Sequence, residues 1–110
     1  MSFQNTTIIG NVGGEVRVNQ VNGKAVANFS VAVNQTFGET EKTTWFDVAL
    51  WGDKAQVAAY ITTGRQVFIE GPISARAWID GKGQPQSTLQ LNARTIQLLG
   101  PKPEELEVLF

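Results

Sequence analysis

Apolar and polar positions alternate with a period of two along most of this 110-residue chain, so strands are the dominant expectation. Residues 6–9 and 15–19 read as one bent strand. Gly10, Gly13 and Gly14 allow a bulge between its halves, and the shift of inward parity from Ile9 to Val16 and Val18 marks the same place. Asn22-Gly23 is a hairpin signal. A second strand covers residues 24–34, with Ala25, Ala27, Phe29, Val31 and Val33 inward and Asn28, Ser30 and Asn34 outward. The polar stretch 35–42, with Gly38 inside it, reads as a flexible loop carrying Phe37.

In Thr43-Thr44-Trp45-Phe46-Asp47-Val48-Ala49-Leu50-Trp51, alternation sends Phe46, Val48 and Leu50 to one face and Trp45, Asp47, Ala49 and Trp51 to the other. Asp53 after Gly52 is a plausible N-cap for a helix over 54–61. That helix would turn Ala55, Ala58, Ala59 and one of Val57 or Ile61 to the sheet and end at Gly64. A fourth strand, 65–79, bends at Gly71-Pro72. Ile69, Ile73, Ala75, Ala77 and Ile79 share its inward parity, while Trp78 lies with Glu70, Ser74 and Arg76. Asp80-Gly81-Lys82-Gly83-Gln84 makes a hairpin loop, and 87–98 is the last strand, with Leu89, Leu91 and Ala93 inward. The expected fold is all-β: a five-stranded OB-fold Greek-key barrel with one short helix between the third and fourth strands.

The three tryptophans thus fall on faces shared with Asp47, Arg76 and other polar residues. Solvated indoles favour a flat partner surface, and nucleobases are one. Packing at a subunit interface or beneath a loop is the competing reading of the same parity.

Composition narrows the chemistry. With 42% apolar residues the chain can build one core, taken here as a single domain over 1–100. Cysteine and histidine are both missing, which excludes disulfides, thiolate or imidazole metal sites and imidazole catalysis. No catalytic site, metal or cofactor is expected. The glycines near residue 10 lack the Lys-Ser/Thr of a phosphate loop, the Asp80 turn lacks the ligand series of a calcium loop, and Glu39/Glu41 have no partner for acid–base work. No apolar run reaches the roughly 18 residues of a membrane span. Met1-Ser2-Phe3-Gln4-Asn5 has no signal-peptide character, so a cytoplasmic protein is expected; a processed organellar form fits the same residues.

The formal charge of −1 argues against a nucleic-acid partner. Leu106-Glu107-Val108-Leu109-Phe110 resembles the start of a viral 3C-type protease site of the kind introduced for expression, so residues 101–110 are expected to be a linker remnant and an engineered scar. Up to Gly100, eight Lys/Arg stand against seven acids, still barely basic.

Five motifs in order resemble the bacterial single-stranded DNA-binding protein (SSB) family. They are Ile8-Ile9-Gly10-Asn11-Val12, the run from Asn22-Gly23 through Val26-Ala27-Asn28-Phe29 to Ala32, Thr44-Trp45-Phe46-Asp47-Val48-Ala49-Leu50-Trp51-Gly52, Val67-Phe68-Ile69-Glu70-Gly71, and Trp78 with the Gly81/Gly83 turn. The resemblance implies that Trp45, Trp51 and Trp78, with Phe37 as a fourth, stack on bases, and that Arg76 is a basic position beside Trp78. Arg17, Lys24, Lys42, Lys82 and Arg94 are further candidates for phosphate contact. It also implies a homotetramer wrapped by single-stranded DNA in replication, recombination and repair, and a C-terminal tail, absent from this sequence, that recruits replication and repair proteins. Gly13-Gly14-Glu15 departs from the family by lacking an Asp-Pro, and Asp47, Asp53, Thr63 and Ala77 stand where relatives are often basic; these departures put high affinity and long wrapped modes in question. A protein-interaction adaptor of the primosome type with weak DNA binding is the main alternative. An OB-domain nuclease or tRNA-processing accessory is a weaker one.

Overall fold

The computed structural model describes residues 1–100; the expected linker and scar at 101–110 lie outside the described residues. Within that range, eight strand segments share one sheet: β1 (Thr6–Val12), β2 (Arg17–Val21), β3 (Lys24–Phe37), β4 (Thr40–Trp51), β5 (Gln66–Gly71), β6 (Ile73–Ile79), β7 (Pro85–Asn92) and β8 (Thr95–Leu98). A 3₁₀ helix, Gly52–Tyr60, lies between β4 and β5. The eight segments are the five expected strands, three of them bent into halves. The first breaks between β1 and β2, the fourth at Pro72, which has no N–H for a ladder, and the fifth at Ala93-Arg94.

The hydrogen-bonded path runs β6-β7-β4-β3-β1-β5-β8, with β2 paired to β3, and it has two ends. Ladder pairing therefore leaves the curved sheet open and does not close it into a barrel. Its ends are linked only through the chain's own bends, where Asn92 N–H donates to Pro72 O at 3.0 Å and Arg94 N–H to Glu70 O at 2.8 Å. The third strand (β4) runs parallel to the fifth (β7), with Phe46 opposite Leu89 and Val48 opposite Leu91. The other ladders are antiparallel.

The curved sheet encloses a core in which Val12, Val31, Val48, Leu50, Val67, Ile69 and Leu91 are essentially sealed from water. Ile8, Ala27, Phe29, Phe46, Ala55, Ile61 and Ala93 complete the cluster. The inward parities expected for the second and third strands hold, with Ala25 and Val33 only partly buried.

The first strand differs. Ile9 is half exposed, and Ile8, Gly10 and Val12 face the core instead, because β1 pairs with β5 in the register Ile8↔Ile69 and Gly10↔Val67. No parity shift then separates β1 from Val16, and Val18 is exposed on edge strand β2. Gly10 is required where β3 crosses closely: a Cβ there would lie 2.4 Å from Ala32 O.

The stretch 35–42 is not a loop. β3 and β4 pair one-to-one from Val26↔Trp51 to Phe37↔Thr40 around a two-residue turn in which Gly38 has φ +63°. Both faces of this arm are in water, so it carries no apolar alternation to reveal it. β6 differs for a related reason. Ala75, Ala77 and Ile79 are exposed because the β6–β7 hairpin extends past the core.

The helix starts at Gly52, whose φ of +65° turns the chain directly out of β4. Asp53 therefore sits inside the first turn and is not the N-cap, which is Trp51. Ala55 and Ile61 are buried as expected, while Ala59 is exposed.

Candidate nucleic-acid interface

Cross-strand register assembles one outward face from five strands. Arg17 (β2), Asn28 (β3), Ala49 (β4) and Asn92 (β7) stand in one row. Ser30, Asp47, Gln90 and Ser74 form the next. Trp45 and Trp51 flank these rows on β4, roughly 20 Å apart along the strand at ~3.3 Å per residue. On β6, Arg76 and Trp78 lie opposite Thr88 and Gln86 of β7, on the same side as Ser74. Sequence parity placed each tryptophan on a polar face of its own strand; pairing of β4 with β7, and of β7 with β6, joins those faces into one.

The indoles remain open to solvent, with 53% of Trp45, 41% of Trp51 and 43% of Trp78 exposed. Each is nevertheless held. The Trp51 Nε1–H donates to Asn92 Oδ1 at 3.3 Å, and the Trp78 Nε1–H to Thr88 Oγ1 at 2.9 Å. Trp45 has a steric seat: its six-membered ring covers Gly13, where a Cβ would lie 2.4 Å from Cζ3 and 2.6 Å from Cη2. Gly13 N–H donates to Ser30 O at 2.9 Å, which pins that backbone to β3. Rings fixed at one edge with a face in water are pre-organised for stacking, at about 1–3 kcal/mol per base.

Of the cations, Arg17, Lys24 and Arg76 share the tryptophan face, Lys24 by its parity with Asn28 on β3. Arg17, Asn19, Asn28, Phe29 and Asp47 line a shallow depression on it. Arg94 is engaged elsewhere, donating to Asn5 Oδ1 at 2.7 Å and lying 5.4 Å from the centroid of the Phe3 ring. Lys82 occupies the β6–β7 turn, where Asp80 Oδ1 accepts the N–H groups of Lys82 and Gln84, both at 2.9 Å, and Oδ2 accepts from Gln86. Bonds from Gln84, Gln86 and Lys82 hold the Asp80 carboxyl below its ordinary pKa. Lys42 and Phe37 stand on the β3–β4 arm with the parity of Phe46 and of Val31, so alternation turns them away from Trp45's side. Phe37 is 61% exposed at the arm's end.

Sequence reasoning missed Gly13, Thr88 and Asn92 as supports of the indoles. Asn92 reads as outward from alternation alone, but only the parallel β4–β7 register puts it beside Trp51. Gly13 fits a strand bulge in the linear pattern, and nothing in that pattern brings it to Trp45.

Among solved structures, the chain superimposes on a Plasmodium falciparum SSB in complex with ssDNA with a TM-score of 0.75, at 24% identity, covering 91% of this chain and 97% of that one. It superimposes on a small single-stranded DNA-binding protein from Streptomyces coelicolor with a TM-score of 0.77, at 18% identity, covering 90% and 96% respectively. At these identities the likeness establishes the OB-fold of those proteins. In sequence, the chain is 32% identical over 103 residues to single-stranded DNA-binding protein 1 of Chlorobaculum tepidum, a match covering 86% of this chain and 64% of that relative's length. Residues 3–99 match the model of the single-strand binding protein family, almost the whole of the described fold, and the chain belongs to that family.

Proposed function

We propose that this chain binds and protects single-stranded DNA with little sequence preference, by stacking bases on Trp45, Trp51 and Trp78 and by phosphate contact from Arg76 and Arg17. One observation carries the reading: three half-exposed indoles on a continuous face, each held by a neighbour. Stacking suits every base because each has a π-face, so the mode is sequence-tolerant. Phe37, Lys42 and Lys82 would meet DNA only where it passes around the two hairpin arms, and Arg94 only by leaving Asn5. The role is coating of exposed strands in replication, recombination and repair, by binding and without bond-making chemistry. A homotetramer and a cytoplasmic location complete the proposal, with recruitment of replication and repair proteins assigned to a C-terminal tail that these 110 residues do not contain.

Titration of intrinsic tryptophan fluorescence with oligo(dT) tests it. Strong quenching with a site size of several nucleotides, reduced in Trp45→Ala and Trp78→Ala, is the expected result. No quenching at low salt would sink the proposal.

A further inference from the structure

Asp47 and Ala49 are the two outward residues of β4 between Trp45 and Trp51. Ala49 faces Asn28 across the ladder, and its methyl leaves low ground beside the depression lined by Arg17, Asn19, Asn28 and Asp47. A base lying between those stacked on the two tryptophans would present its edge to this ground. The lining is mixed: a guanidinium and two amides donate, while the carboxylate only accepts. A carboxylate repels phosphate, so charge alone gives Asp47 no favourable role on a DNA-binding face. Toward a base edge it has one. It accepts from an exocyclic amino group such as cytosine N4–H₂, and it meets the O4 acceptor of thymine unfavourably. Arg17 and Asn28 supply donors for the ring nitrogen and carbonyl beside that amino group.

We propose that the Arg17–Asn28–Asp47 depression is a base-edge subsite favouring amino-bearing bases, cytosine foremost, over thymine. The proposal rests on the DNA-binding reading and adds a bias to it, superimposed on stacking that accepts all bases.

The test compares affinities for oligo(dC) and oligo(dT) of one length, at neutral pH and matched salt, in the unaltered protein and in Asp47→Ala. Loss of the carboxylate relieves phosphate repulsion for both oligomers equally, so the ratio of affinities isolates the edge contact. The expected result is a fall in the oligo(dC)-to-oligo(dT) ratio of about two- to ten-fold, the worth of one partly exposed hydrogen bond. An unchanged ratio, whatever happens to the absolute affinities, overturns the subsite while leaving the DNA-binding reading standing. Failure of the unaltered protein to bind either oligomer at low salt overturns both.

Discussion

Gly13→Ala isolates the seating of Trp45 from the fold that carries it. The added methyl carbon would lie 2.4 Å from Cζ3 and 2.6 Å from Cη2 of Trp45. Carbon atoms rest at about 3.5–4.0 Å, so the ring must withdraw by at least about 1 Å. It can do so cheaply, because 53% of Trp45 is in water and the clash is with the far end of its side chain. Gly13 has no left-handed φ to forbid alanine, and its N–H bond to Ser30 O survives. Stability should therefore change by less than about 1 kcal/mol. Stacking on Trp45 should suffer more. A base there is worth about 1–3 kcal/mol, and a displaced ring should forfeit about 1 kcal/mol of it, a roughly five-fold weaker affinity for oligo(dT). Fluorescence titration of Gly13→Ala, Trp45→Ala and the double variant forms the assay. Gly13→Ala should weaken binding in the presence of Trp45 and do nothing in its absence. An equal loss in both backgrounds, or none in either beside a clear loss for Trp45→Ala, would refute the idea that Gly13 seats the ring.

Three further expectations follow from other parts of the molecule. Gly71→Ala should cost at least about 2 kcal/mol, lowering Tm by about 10 °C, because a Cβ would lie 2.0 Å from Asn92 O in backbone that cannot retreat without breaking the Arg94-to-Glu70 bond; a Tm within 3 °C or so of the parent would contradict this. With Arg17, Lys24 and Arg76 the cations on the tryptophan face, log K for oligo(dT) should fall with log salt at a slope near about −2.1 per subunit, and a slope steeper than about −4 would show that stacking is not the main term. The β6–β7 turn should be acid-sensitive. Since the folded state lowers the Asp80 pKa, the turn's stabilisation is present above the ordinary carboxylate value and lost as pH falls through the depressed one, so the Lys82 and Gln84 amide resonances should titrate together below the ordinary range. Titration at or above that range would count against the assignment.

Alternation by itself determined much of this protein. The inward sets Phe29/Val31 and Phe46/Val48/Leu50 and the outward Trp45, Trp51 and Trp78 follow from side chains pointing to opposite faces of a strand, a local property that needs no knowledge of neighbours. The Asn22-Gly23 turn, with φ of +51° and +80°, was legible for the same reason, since its two residues alone decide it. Alternation failed where burial on one side was missing or misassigned. The arm at 35–42 and the far end of β6 stand in water on both faces, and Ile9 gave way to Ile8 because pairing with β5 chose the parity. What only the tertiary structure decided is the platform as a unit. Tryptophans on two separate strands become one surface because β7 inserts between β4 and β6, parallel to one and antiparallel to the other. The same insertion brings Asn92 to Trp51, and the close crossing of Gly13 sets Trp45. Contacts between residues that far apart in sequence depend on which strands pair and in what register, and strand pairing is a global outcome that local pattern does not encode.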